Sequence, residues 1–223
     1  MMNIGIICEG PTDYVLLQEI IDRITGDDNY YVQLQPEPDL MGKYGNGWKG
    51  IWKWCNDNGT QKEKLMKDIE PSLDILIIQM DGDVSRKEKI AHCGCKSTVC
   101  QYKTKCADHE VSPKAYMEHL EKLIEGWLPD LNDICLAIPC DSTEAWIVAA
   151  YDEIKEAEKI EDPWTNTIAK KKAYHDVRIQ GKQKRGRAFK EFAKVVSKNW
   201  EKVTELCVSA KEFEDNILSL SGK

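Results

Sequence analysis

The sequence has no apolar run that approaches the length of a membrane-spanning helix, and it contains no internal repeat or low-complexity tract. Its first residues show neither a basic leader nor a small-residue cleavage site, so no export signal is expected. An apolar fraction of 42%, with seven Trp and eight Tyr, excludes a disordered chain. These features predict a folded cytoplasmic protein without a membrane partner, and 223 residues suit one α/β domain with an appendage.

The chain has no excess of positive charge, because 38 Asp and Glu outnumber 31 Lys and Arg and the formal net charge is -7. On average this argues against a nucleic-acid partner, since phosphate contacts need Lys and Arg. The charge is unevenly distributed, however. Residues 170–202 hold twelve Lys and Arg against three acids, so this segment carries about +9 and the remainder about -16. The segment fits a surface that follows a phosphate backbone. It also fits a solvated helix face, because several lysines recur at every fourth residue. The candidates for nucleic-acid contact are Lys170, Lys171, Lys172, Arg178, Lys182, Lys184, Arg185 and Arg187.

Short apolar runs alternate with helical periodicity over residues 1–160. Strands are predicted at about residues 3–8, 30–34, 73–80 and 133–139, and helices at about 11–25, 62–70, 113–127 and 141–158. This alternation is typical of a parallel sheet with right-handed crossovers. We therefore predict an α/β fold, a Rossmann-like open parallel sheet of about four strands with flanking helices. Beyond Pro163 only helical signals occur, so residues 161–223 are predicted to form a basic helical appendage.

Acidic residues follow two of the predicted strands at the point where each strand ends. Glu9 comes directly after the first strand, and Asp81-Gly82-Asp83 comes directly after the most apolar strand. In open α/β sheets the reactive groups gather beyond the carboxyl ends of the strands, so these three carboxylates are expected in one crevice. Carboxylate oxygens suit Mg²⁺ or Mn²⁺, and Mg²⁺ commonly takes one or two protein carboxylates plus phosphate. The alternative is an ordinary strand end and a solvated Asp-Gly-Asp turn.

A resemblance to a known family is carried by the same residues. The segment Glu9-Gly10-Pro11-Thr12-Asp13, followed about 70 residues later by Asp-Gly-Asp after an apolar strand, resembles the Toprim domain of topoisomerases, primases and OLD-type nucleases. With Leu16 and Leu17, the first motif is most similar to the small OLD-type nuclease branch. The resemblance covers about residues 2–155, and it leaves out the cysteine-rich insertion and the tail.

The resemblance implies catalytic roles for Glu9, Asp81 and Asp83. Glu9 would be the acid or base, both aspartates would bind metal, and Asp13 would be a candidate ligand of a second ion. It also implies an ABC-class ATPase partner and a part in prokaryotic defence against phage or foreign DNA.

Length separates the activities that Toprim domains support. A topoisomerase would need a nucleophilic Tyr on a further large domain, and a primase would need more chain. Metal-dependent hydrolysis of DNA, or of RNA, therefore remains as the predicted activity. Two other interpretations stay open: a non-catalytic binding or regulatory subunit of an ATPase complex, and a stand-alone ribonuclease that matures RNA.

Three further acids have competing explanations. Asp13 falls at the third position of the first helix. It either accepts hydrogen bonds from the free backbone amides of the first turn or binds metal. Asp141 and Glu144 form a capping-box pattern before an apolar helix, with Asp141 as the expected cap. Their loop follows the fourth strand and borders the same crevice, so both are also candidates for a second ion.

A cysteine-rich insertion is predicted at about residues 84–110. Four sulfurs lie within 14 residues of a Lys-rich stretch, and four such ligands suit a structural Zn²⁺. Their spacings differ from the usual CxxC pairs, and the alternative is a loop of free or reversibly oxidised thiols. The candidate ligands are Cys93, Cys95, Cys100 and Cys106, with His92 or His109 as substitutes.

Overall fold

The computed structural model describes residues 1–38, 43–84, 113–181 and 183–222. Within them the strands are β1 Asn3–Ile7, β2 Tyr30–Gln35, β3 Ile75–Gln79, β4 Ile134–Ala137, β5 Ala173–Tyr174 and β6 Val177–Arg178. The α-helices are α1 Pro11–Thr25, α2 Trp48–Asn58, α3 Lys62–Asp68, α4 Pro113–Glu125, α5 Glu144–Asp152, α6 Pro163–Asn166, α7 Gly186–Lys198, α8 Trp200–Leu206 and α9 Val208–Ser221. No helix of the described residues is both long and apolar enough to cross a bilayer.

The first four strands form one sheet in the order β2-β1-β3-β4, and all neighbours are parallel. β1 is central, since its Ile4 pairs with Tyr31 on one side and with Ile75 on the other. The chain first winds outwards from β1 to β2 and then returns to the opposite side of β1 at β3. This reversal creates a crevice beyond the carboxyl ends of β1 and β3. The predicted α/β class with an open parallel sheet is confirmed.

Helices cover both faces of the sheet, which explains why its inner strands β1 and β3 are apolar without alternation. All five residues of β3 are buried, as expected for a strand covered on both sides. Ile4, Ile6 and Ile77 face a core that includes side chains of α1 and α5. Leu76 and Ile78 face a second core with side chains of α2 and α4.

The segment after residue 185 belongs to the first of these cores. Trp146 of α5 is fully buried, stacks on Phe213 of α9 at 5.9 Å and meets Trp200 edge-on at 5.7 Å. Its indole Nε1 donates a hydrogen bond of 2.9 Å to Ser209 Oγ. Burying a large aromatic side chain contributes about 1.5–3 kcal/mol, so the tail helices contribute to the stability of the α/β core.

The prediction that only helices follow Pro163 is wrong for one short segment. β5 and β6 form an antiparallel hairpin in which Ala173 pairs with Arg178 and Tyr174 with Val177. Two residues connect the strands, and the first of them, His175, has a positive φ of 48°. Strands of two residues are too short to show a period of two in the sequence, so hydrophobic patterning does not reveal them.

Candidate functional site

A closed set of hydrogen bonds joins the ends of β1 and β3. The backbone N–H of Glu9 donates to Gln79 Oε1 at 3.1 Å, and Gln79 Nε2 donates to Asp81 Oδ1 at 2.8 Å. The backbone N–H of Asp81 in turn donates to Glu9 Oε1 at 2.9 Å. The two predicted acids are therefore held together, as the topology led us to expect. Gln79 was missed in the sequence, although a fully buried polar residue at the end of an apolar strand is a usable signal.

The loop after β3 runs beside the loop after β4. Gly82 N donates to Pro139 O at 3.0 Å, and Asp83 N donates to Asp141 O at 2.9 Å. A Cβ atom at Gly82 would overlap the carbonyl oxygen of Cys140, so only glycine permits this approach. Asp83 is half-buried, and its charge contributes to the raised pKa of Glu9, so it belongs to the same acidic cluster.

Asp13 and Glu144 extend this cluster on its α1 and α5 side. Asp13 occupies the third position of α1, as predicted, and its Oδ1 accepts a hydrogen bond of 2.7 Å from Thr143 Oγ1. Glu144 is fully buried, and its Oε1 lies 2.6 Å from Lys184 Nζ. We call Glu9, Asp13, Asp81, Asp83 and Glu144 the acidic cluster.

The predicted capping role of Asp141 is wrong. α5 begins at Glu144, three residues later than expected, and its N-cap residue is Thr143, whose side chain makes no capping hydrogen bond. Asp141 Oδ1 instead accepts from the backbone N–H of Asp162 at 3.0 Å, which ties the loop after β4 to the start of α6. Glu144 likewise faces Lys184 rather than completing a capping box. The capping pattern misleads here because both acids find partners far away in the sequence.

Lys184 supplies positive charge to the acidic cluster. It was predicted as a surface contact to phosphate, and its side chain is 36% exposed. Burial acts to lower the pKa of its ammonium group, but the charges of Glu144, Asp81 and Asp13 outweigh burial and raise that pKa well above the ordinary value. The ammonium group therefore stays protonated. No local pattern in the sequence connects Lys184 to acids at least 40 residues away.

Crowding of the carboxylates perturbs their protonation. Burial, followed by the charges of Asp13 and Asp83, raises the pKa of Glu9 to about 8, although the Asp81 amide and Lys184 oppose the shift. Burial and the charge of Glu144 raise the pKa of Asp13 to about 6. The pKa of Asp81 is also raised, first by burial and then by the charge of Glu9. Such neighbours favour binding of a cation, which would stabilise their ionised forms.

The predicted Mg²⁺ would need oxygen ligands from the acidic cluster. Glu144 Oε2 is buried without a hydrogen-bond partner among the described residues, and an orphaned carboxylate oxygen is costly unless a cation or water satisfies it. Among the same residues, no three His, Cys, Asp or Glu side chains are arranged to hold an ion by themselves. Mg²⁺ commonly takes one or two carboxylates and completes its octahedron with water and phosphate. The oxygen donors fit a Mg²⁺ bound in that way.

The remaining predicted site residues fall into three groups. Arg178, Arg185 and Arg187 line one cavity next to α7. Lys170, Lys171 and Lys172 are exposed on the segment that leads into β5. The candidate zinc ligands Cys93, Cys95, Cys100 and Cys106, their substitutes His92 and His109, and Lys182 lie outside the described residues.

Comparisons of the chain with protein-family models, with curated proteins and with solved structures found no match. The Toprim resemblance therefore stays a prediction carried by the two motifs, and the described geometry carries the functional proposal.

Proposed function

We propose that the protein is a metal-dependent nuclease of the Toprim type, which hydrolyses phosphodiester bonds of DNA or RNA. The observation that supports it best is the hydrogen-bonded pair of Glu9 and Asp81 at the switch point of the sheet, with Lys184 beside the same cluster. A role in defence against phage or foreign DNA, and an ABC-class ATPase partner, belong to the proposal through the Toprim resemblance.

Asp81 would hold Mg²⁺ or Mn²⁺ together with Glu9 or Asp83. When bound, the ion neutralises phosphate charge and lowers the pKa of a water molecule that attacks phosphorus. Asp13 and Glu144 are the carboxylates available for a second ion, because Asp141 is engaged with the start of α6. The unsatisfied Glu144 Oε2 is the atom that favours this assignment.

Glu9 is suited to exchange a proton with the reacting groups. A pKa of about 8 lies close to neutrality, where a general acid or base works best, and a nearby cation would lower it further toward that range. Because the Asp81 amide occupies Oε1, the proton is exchanged at Oε2. Lys184 would place a permanent positive charge near the non-bridging oxygens of the phosphate, where negative charge accumulates in the transition state.

The test incubates the protein with supercoiled plasmid and with structured RNA, in Mg²⁺, in Mn²⁺ and in a chelator. We expect cleavage only with metal, and Glu9→Gln and Asp81→Asn should each lower the rate by about 10²–10⁴-fold. Glu19→Gln is the matched control, because Glu19 is exposed on α1 and lies outside the acidic cluster.

Two outcomes would contradict the proposal in different ways. Binding of nucleic acid without cleavage, both alone and in the presence of an ABC-class ATPase partner, would favour the non-catalytic subunit and exclude the nuclease. Cleavage that Glu9→Gln and Asp81→Asn leave unchanged would show that the reaction takes place elsewhere on the protein.

A further inference from the structure

A cavity of about 650 Å³ opens between the β5–β6 hairpin and α7. This volume lies within the range of about 300–1,000 Å³ that is usual for ligand sites. The charged and aromatic side chains that line it are Tyr151, Asp176, Arg178, Arg185, Arg187 and Glu191. None of these belongs to the acidic cluster, so the cavity needs an explanation of its own.

The three arginines of this cavity are available to a ligand. In the described part of the chain no carboxylate forms an ion pair with Arg178, Arg185 or Arg187. The one hydrogen bond of their guanidinium groups there is a long contact of 3.4 Å from Arg185 to Gln183. Asp176 and Glu191 line the same cavity, where burial and their charges raise the pKa of Tyr151 to about 12. Guanidinium groups without an ion pair that line one cavity match the planar, bidentate binding of phosphate.

The walls of the cavity are held in place by contacts outside it. Asp152, the last residue of α5, accepts a hydrogen bond of 2.6 Å from Tyr174 Oη and lies 2.7 Å from His175 Nε2. The ring of Tyr151 packs on the His175 ring at 4.8 Å. On the opposite wall α7 is anchored by the fully buried Phe189 and Phe192. A wall fixed in this way loses little conformational entropy when it binds a ligand.

The cavity is connected to the acidic cluster by two elements. Lys184, which faces Glu144, directly precedes Arg185 in the chain. α5 carries Glu144 in its first turn and Tyr151 in its last turn, and a rise of 1.5 Å per residue separates them by about 10 Å along the axis. This separation is short enough for one nucleic-acid strand to contact both sites within a few nucleotides.

We propose that the cavity binds the sugar-phosphate backbone of the substrate strand, a few nucleotides from the phosphate that is cleaved. This inference rests on the proposed nuclease function and identifies where the strand lies. Arg178 and Arg187 provide the phosphate contacts from opposite walls of the cavity, while Lys170, Lys171 and Lys172 lie outside its lining.

Binding is measured by fluorescence anisotropy with a labelled single-stranded oligothymidylate of about 12 nucleotides, in chelator so that metal-dependent cleavage does not occur. We expect the double substitution Arg178→Ala and Arg187→Ala to weaken binding by about tenfold or more, since two charge-assisted contacts are lost. The slope of log affinity against log salt should fall by about 1.4, for two phosphate contacts to a single strand. Arg23→Ala is the matched control, because Arg23 is exposed in the last turn of α1, at the opposite end of that helix from the cluster. This control should bind like the unchanged protein.

Unaltered affinity and salt slope in the double variant, with an unchanged melting temperature, would overturn the inference. So would a nucleoside monophosphate that binds as tightly as the oligonucleotide, since this would identify a small-molecule pocket. The nuclease proposal is tested separately in Mg²⁺. Arginine-dependent binding without any cleavage would support the cavity and exclude the nuclease. Cleavage with the same KM in the double variant would support the nuclease and exclude the cavity.

Discussion

Glu9→Gln removes one charge from the acidic cluster while it keeps the oxygen that accepts from the Asp81 amide. Without metal, the carboxyl group of Glu9 has a pKa of about 8 in the folded chain against an ordinary value of 4.5. A raised pKa means that the folded state prefers the protonated form. Its contribution to the free energy of unfolding is therefore fully present below about pH 4.5 and is lost as the pH rises through 8.

The size of this effect follows from the difference between the two pKa values. Complete loss corresponds to at most about 5 kcal/mol. Glu9 is half-buried, and solvent screening reduces the figure to about 2 kcal/mol. We therefore expect Glu9→Gln, in chelator above about pH 8, to unfold about 4–8 °C higher than the unchanged protein. The difference should disappear as the pH falls towards 4.5.

The assay is thermal unfolding followed by tryptophan fluorescence across this pH range, with Glu19→Gln as the control for removing an exposed charge. Adding Mg²⁺ should stabilise the unchanged protein more than Glu9→Gln, because the ion relieves the repulsion that the substitution has already removed. A variant that is less stable than the unchanged protein at high pH, or a difference that does not vary with pH, would refute this account of the cluster.

Three further substitutions test other parts of the structure by urea unfolding. Gly82→Ala should cost about 2–3 kcal/mol, because its Cβ would overlap the Cys140 carbonyl oxygen; a loss below about 0.5 kcal/mol would show that the two loops separate easily. Lys184→Met should lower the free energy of unfolding by about 1 kcal/mol after solvent screening, and it should raise the pKa of Asp13 above about 6. An unchanged titration of Asp13 by NMR would contradict the placement of Lys184 beside these acids. Phe213→Ala should cost about 3–5 kcal/mol, and a cost under about 1 kcal/mol would mean that α9 does not share the sheet's core.

Within the acidic cluster, the sequence predicts the positions of the residues that directly follow strands. A run such as residues 73–80 is recognisable as a buried strand, and parallel strands bring their carboxyl ends to one edge, so Glu9 and Asp81 could be paired without coordinates. Gln79 could have been found by the same reasoning, because a polar side chain inside such a run requires a partner.

Lys184 and the β5–β6 hairpin could not be predicted by these means. The partner of Lys184 depends on how α7 packs against α1. This packing is a long-range contact, and no local periodicity in the sequence predicts it. The start of α5 was misplaced for a related reason, since Thr143 bonds to Asp13 and Asp141 to Asp162 instead of capping the helix. Local propensity is overruled where polar residues find partners across the fold.

The position of Lys184 in the chain also determines when the negative charge of the acidic cluster is compensated. During synthesis the N-terminal residues emerge first, so the sheet and its carboxylates are available before the segment that carries Lys184. Until that segment docks, Glu144 and its neighbours repel one another without an ammonium group between them. The electrostatic balance of this site is therefore reached late in folding, and a chain that stalls before residue 184 presents acids alone, which repel a phosphate backbone.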